Sequence, residues 1–145
     1  MKNLAASIHA RLIQRRAKTG EDFNLLLVRF TLERLLYRLS RSSHREQFIL
    51  KGAMLFSIWG PTLHRATRDL DLLGFGNPSQ ERLADIFRQL ASMEVEPDGV
   101  KFDSRSVAKV GTGFGQAMVI TTAGNSNGNA CGTVFHIHSA QVTSM

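Results

Sequence analysis

Apolar residues recur at helical spacing from the start of the chain. Leu4, Ile8 and Leu12 stand one turn apart, and Thr19-Gly20 follows with the glycine that commonly closes a helix. A second helix is predicted from Phe23, Leu26, Leu27, Phe30, Leu32, Leu35, Leu36 and Leu39, with Glu21 and Asp22 in its first turn, where the dipole favours acids. Phe48, Ile49 and Leu50 then form a short apolar run that reads as a strand. Gly52 opens a helix-length apolar segment, Ala53 to Trp59, which Gly60-Pro61 ends. Leu70, Leu72 and Leu73 mark a second strand. Asn77-Pro78-Ser79 is a turn and helix cap, and Leu83, Ile86, Phe87 and Leu90 give the next amphipathic helix. Met93 to Val95 and Val100 to Phe102, flanking Glu96-Pro97-Asp98-Gly99, predict a hairpin.

The second strand carries the chemistry. Asp69 and Asp71 are two residues apart, and side chains two apart on a strand share a face, so two carboxylates converge. Such a pair suits a hard divalent cation such as Mg²⁺, which takes one or two carboxylates together with substrate phosphate oxygens. The alternative is two solvated acids at a strand end. Gly52 has a matching job, because free amides at a helix start attract phosphate and a residue without a Cβ lets phosphate approach the backbone closely. Lys51 beside it is a point charge, and Arg65 and Arg68 come just before the carboxylates.

Strand, glycine, helix, then a strand bearing D-x-D: this order resembles the nucleotidyltransferase superfamily typified by DNA polymerase β. Residues 1 to about 109 more closely resemble the AbiEii/AbiGii group of bacterial nucleotidyltransferase toxins, in which KGG or KGA precedes R-x-T-x-D-[IL]-D. The matching residues here are Lys51, Gly52 and Ala53, then Arg65, Thr67, Asp69 and Asp71. The resemblance implies an α/β fold of the α+β kind, a small mixed sheet with a helical N-terminal region. It implies that Asp69 and Asp71 hold Mg²⁺ and that Lys51, Gly52, Ala53, Arg65, Thr67 and Arg68 surround a nucleoside triphosphate. It also implies an RNA acceptor, typically tRNA, blocked translation, and a cognate antitoxin as partner. Ala53 departs from the Gly or Ser of many relatives and removes a hydroxyl contact to phosphate, though not the backbone amide.

Composition bounds the rest. The 145 residues are 43% hydrophobic, enough for one domain with a core. No uninterrupted apolar run approaches the ~18 residues of a membrane span, and the N-terminus carries Arg11, Arg15 and Arg16 rather than an apolar signal region, so a cytoplasmic protein is expected. Cys131 is the single cysteine, which excludes an internal disulfide and a cysteine zinc site.

Charge is unevenly placed. Residues 1–45 hold ten Lys and Arg against three acids, whereas residues 46–109 hold eight against nine. Arg34, Arg38, Arg41 and Arg45 fall at i, i+4, i+7 and i+11 and would line one helix face; Arg11, Arg15 and Lys18 repeat the pattern. The stripe reads either as a solvated face or as a surface that tracks an RNA backbone.

At Lys109 the chain changes character. Residues 110–145 contain no Lys, Arg, Asp or Glu and are rich in Gly, Thr, Ser and Asn. In the family a third acid on a later strand completes the metal site, and this chain has none after Asp103. The expectation is therefore a core over residues 1–109 and a poorly ordered tail over 110–145, with the C-terminal half of the fold incomplete and the gene truncated or frame-shifted. The alternative function is an inactive remnant that at most binds RNA or protein. Within the tail, Phe114 to Thr122 and Gly132 to His138 are β-prone and open a second structural reading as paired strands. His136-x-His138 is a weak metal signature without a third ligand. Gly111-x-Gly113-x-Gly115 lacks the strand-to-helix context of a phosphate loop and reads as a linker.

Overall fold

The structure, a computed structural model, describes residues 3–52, 55, 69–77, 79–111, 116–122 and 132–139, with side-chain surroundings over 3–52, 55, 70–77 and 79–108. Helix α1 runs Leu4–Thr19. Asn3 caps it, accepting from the Ala6 amide, and Gly20 ends it in the left-handed region at φ 73° with its amide donating to Arg16 O. Helix α2 runs Phe23–Arg41. Asp22 sits before its first turn, not in it, and accepts from the amides of Asn24 and Leu25, so the acid serves as a cap as well as a dipole partner.

A single 3₁₀ turn, Arg45–Gln47, leads into strand β1, Phe48–Lys51. Strand β2 is Asp69–Gly74, and helix α3, Gln80–Ser92, is capped by Ser79, whose hydroxyl accepts from the Arg82 amide. Strands β3 (Phe102–Gly111), β4 (Gln116–Thr122) and β5 (Gly132–Ser139) complete the described chain. The helix expected over Ala53 to Trp59 lies outside the described residues apart from Leu55, whose amide donates to Gly52 O at 3.1 Å.

Five strands form one mixed sheet in the order β1-β2-β5-β4-β3. The β2–β5 pair is parallel, and the other three pairs are antiparallel. One face packs on the helices. Leu70 and Leu72 of β2 are buried there with Leu32, Leu35 and Leu39 of α2 and the apolar stripe of α3. Phe87 meets Phe48 edge to face with ring centroids 6.0 Å apart, which ties α3 to β1. Alternation sends Ile49 and Asp71 to the other face, and Asp69 has the same parity along β2.

One expectation from sequence is overturned. Met93 to Val95 is not a strand, and Glu96-Pro97-Asp98-Gly99 does not close a hairpin. That tetrad is drawn to the helices instead: Arg38 binds Asp98 and the carbonyl of Val100. Gly99, at φ 77°, lies where a Cβ would meet Ile8 of α1 at 2.5 Å. Strand β3 pairs forward with β4. Strands β4 and β5 of the uncharged segment are sheet members, and β5 stands between β2 and β4. Its alternating apolar residues complete the sheet without charge, as the paired-strand reading allowed. Gly111 ends β3, while Gly113 and Gly115 lie outside the described residues.

Candidate active site

The connection between β1 and β2 brings the key residues together. Lys51, last of β1, pairs with Asp71 in the antiparallel register, and Gly52 follows at φ 79°. Few L-residues adopt that conformation, and space forbids one here as well. A Cβ at position 52 would sit 2.5 Å from Asp71 Oδ2 and 3.2 Å from Asp71 Cβ and Cγ. The Asp71 carboxylate can occupy this place beside residue 52 only because residue 52 is glycine. Leu70 and Leu72, on either side of Asp71, are fully buried and fix the strand's orientation, so Asp71 is half-buried on the face away from the helices.

These residues fit a divalent cation with a phosphate ligand. A carboxylate oxygen is a hard donor, Asp69 holds the position of the same parity on β2, and the turn beyond Lys51 leaves backbone within reach of an anion. Lys51 supplies positive charge at the same level of the sheet. Among the described residues no three His, Cys, Asp or Glu side chains gather into a metal cluster. Ala53, Arg65, Thr67 and Arg68 lie outside the described residues, and for Asp69 the structure gives the strand position alone.

The arginine stripe is divided. Arg38 is 4% exposed and belongs to the core, where its Nη1 donates to Asp98 Oδ2 at 2.9 Å and to Arg34 O at 3.1 Å. Its Nη2 donates to Val100 O at 3.1 Å, and the guanidinium lies 4.9 Å from the Phe102 ring centroid. Arg34 Nε donates to the same Asp98 Oδ2 at 2.7 Å. Burial pushes the Asp98 carboxyl up, but the hydrogen bonds from Arg38 and Arg34 outweigh it and hold the group below the usual carboxylate range. Arg41 and Arg45 are exposed. The stripe is thus half ion-pair network and half surface, and it is not one helix face, because α2 ends at Arg41 and Arg45 lies in the 3₁₀ turn beyond it.

Two residues of consequence escaped the sequence reading. Asp98 looked like a turn acid, and its only signal was a lone carboxylate downstream of an excess of arginine. His136 was visible only as half of a weak metal signature, yet the parallel register sets it beside Asp71.

The family model for the nucleotidyl transferase AbiEii toxin of type IV toxin–antitoxin systems matches residues 34–130, more than half of the chain. The match begins inside α2, spans β1 through β4 and continues past the change of composition at Lys109. Among curated proteins none matches the chain. Matched through the glycine turn and both aspartates, with a mixed α/β architecture around them, the chain belongs to the AbiEii nucleotidyltransferase toxin family.

Proposed function

We propose that this protein transfers a nucleotide from a nucleoside triphosphate to an RNA end, typically of tRNA, in the cytoplasm, and that a cognate antitoxin restrains it. The observation that carries the reading is that the Asp71 carboxylate fills the place a Cβ of residue 52 would take, which sets the glycine turn beside a carboxylate inside the segment shared with the family. Asp69 and Asp71 hold the cation, Mg²⁺ by the hardness of their oxygens. When bound, it offsets the negative charge of the triphosphate.

The chain's own part is positioning and charge. Gly52 cradles the phosphates of the triphosphate; Lys51, Arg65 and Arg68 add positive charge, and Ala53 and Thr67 are the other residues of the family motif assigned to the triphosphate. An RNA hydroxyl oxygen attacks the α-phosphorus, a new P–O bond forms, and the bond to the bridging oxygen breaks. Pyrophosphate leaves with the electron pair, and the hydroxyl proton passes to solvent. Arg41 and Arg45 remain available to the acceptor's phosphates, whereas Arg34 and Arg38 act on it only by fixing α2.

Incorporation of labelled nucleotide into a tRNA pool is the test, with each of the four nucleoside triphosphates supplied in turn. Wild-type protein should label the RNA, and chelation of the divalent cation should stop it. Asp71→Asn should lower the rate at least ~100-fold, as loss of a group that stabilises transition-state charge does. Equal labelling by the variant would sink the assignment.

A further inference from the structure

Helix α1 is cationic and carries no compensating acid. Residues 1–20 include Lys2, Arg11, Arg15, Arg16 and Lys18 but no Asp or Glu, whereas α3 interleaves Glu81, Arg82, Asp85 and Arg88. No residue of α1 is buried, and its contacts and its charges divide along its length. The first half holds the helix in place: Ile8 Cδ1 lies 2.5 Å from where a Cβ of Gly99 would stand, and the His9 ring meets Phe23 edge-on with centroids 5.0 Å apart. The second half carries the cations. Arg11, Arg15, Arg16 and Lys18 are all exposed, and among the described residues the one carboxylate within ion-pair distance of any of them is Glu21, 3.6 Å from Arg15 and shared with Arg29. Arg11 and Arg15 stand at i and i+4, and Arg15 and Lys18 at i and i+3, so like charges are neighbours on the helix surface and repel. A face that serves solubility alone mixes signs, as α3 does with Asp85 and Arg88 paired at 3.0 Å. Four cations held side by side without an acid are destabilising until a polyanion neutralises them.

We propose that the second half of α1 is a docking surface for an RNA phosphate backbone and holds the acceptor independently of the nucleotide site. This rests on the acceptor being RNA. Charge complementarity selects the partner: four exposed cations along about 11 Å of helix meet a polymer whose phosphates follow one another at close spacing, and each contact releases condensed counterions. An anionic membrane fits the helix less well. A helix lying in a membrane interface sets large apolar side chains beside its cations, and the exposed apolar residues of α1 are Ala5, Ala6, Ala10, Ala17 and Ile13, of which Ile13 alone is large. The surface also lies outside residues 34–130, the segment that the family model matches. It is therefore a feature of this chain added to the shared core, and it is separate from Arg41 and Arg45, which stand at the far end of α2 and in the turn beyond.

Binding of labelled bulk tRNA to the full chain, with a chelator present and no nucleotide, reads this surface apart from any transfer reaction. The wild type should bind with an affinity that falls steeply with salt. Arg11→Gln, Arg15→Gln, Arg16→Gln and Lys18→Gln combined, which keep good helix formers in the helix, should lower the logarithmic salt slope by about three units and weaken binding at low salt at least ~10-fold. Arg11→Lys, Arg15→Lys and Arg16→Lys combined should retain both affinity and slope, because the contacts depend on charge, and circular dichroism checks that each variant keeps its helices. An unchanged slope in the glutamine variant, no tRNA binding by the wild type, or binding to vesicles of anionic lipid in preference to tRNA overturns the inference. Salt-dependent tRNA binding through α1 by a protein that labels RNA with none of the four nucleoside triphosphates keeps the surface and removes the transfer reaction. Labelling with the same dependence on RNA concentration in the wild type and the glutamine variant removes the surface and keeps the transfer reaction.

Discussion

Gly52 carries two separate demands, and they can be measured apart. Its φ of 79° opposes any Cβ, at about 1–2 kcal/mol for a residue forced into the left-handed region, and the 2.5 Å approach to Asp71 Oδ2 opposes one sterically. The carboxylate is the softer partner, since it can rotate away where backbone cannot. Gly52→Ala should therefore lower stability by about 1–2 kcal/mol in urea unfolding, and should weaken divalent-cation and triphosphate binding more than that stability loss explains. An alanine variant that unfolds earlier yet binds both ligands as the wild type does would mean that Asp71 does not need the position it holds against residue 52. The aspartate itself behaves in the opposite sense. Asp71→Asn keeps the shape and removes the charge, so cation binding should fall by more than any stability change accounts for; titration calorimetry beside the urea curve separates the two.

At the scale of elements, local signals were legible and long-range ones were not. The cap Ser79, the terminating Gly20 and the stripe Leu83, Ile86, Phe87 and Leu90 were readable because each depends on neighbours within a turn or two. The hairpin at Met93 to Phe102 was misread because its turn tetrad is equally suited to another use. A carboxylate sixty residues away from Arg38 in sequence has no local mark, and it was the buried guanidinium that claimed it. Removing that carboxylate leaves a buried charge without its partner, so Asp98→Asn should cost about 3–5 kcal/mol at neutral pH. The pH dependence has a definite sign. The folded-state pKa of Asp98 is depressed, so its contribution is complete above the ordinary carboxyl range near ~3.9 and is lost as pH falls through the folded value. Urea unfolding at neutral pH should separate wild type from variant, and the gap should narrow below about pH 4; a gap that persists there would assign the loss to packing. The two exposed arginines carry a different expectation. Arg41→Gln with Arg45→Gln should flatten the salt dependence of RNA binding by up to about two counterion-release units, with thermal stability unchanged. A slope that ignores the pair would mark them as ordinary solvated charge.

For the molecule as a whole, the contributions of its two ends differ in a way composition hides. Helix α1 carries much of the positive charge and buries none of its residues, and the family match begins after it, within α2. Strand β5 carries no charge at all, yet it hydrogen-bonds β2 on one side and β4 on the other, so the sheet has no continuity from the aspartates to β3 without it. Backbone bonding, not charge content, decides what a deletion costs. A chain lacking residues 1–20 gives up the packing of Ile8 on Gly99, the His9–Phe23 ring contact and the exposed ion pair Arg15–Glu21, each of small value, and should still unfold cooperatively in urea with divalent-cation binding retained. A chain lacking residues 131–145 gives up the parallel ladder beside Asp71 and leaves both the β2 edge and the β3–β4 pair without their neighbour. It should lose cooperative unfolding and cation binding together, although it retains every charged residue of the sequence. If that shorter chain kept a sharp urea transition with the aspartate site intact, the sheet would be held by β1, β2 and the helices alone, and β5 would be an addition to the fold instead of its centre.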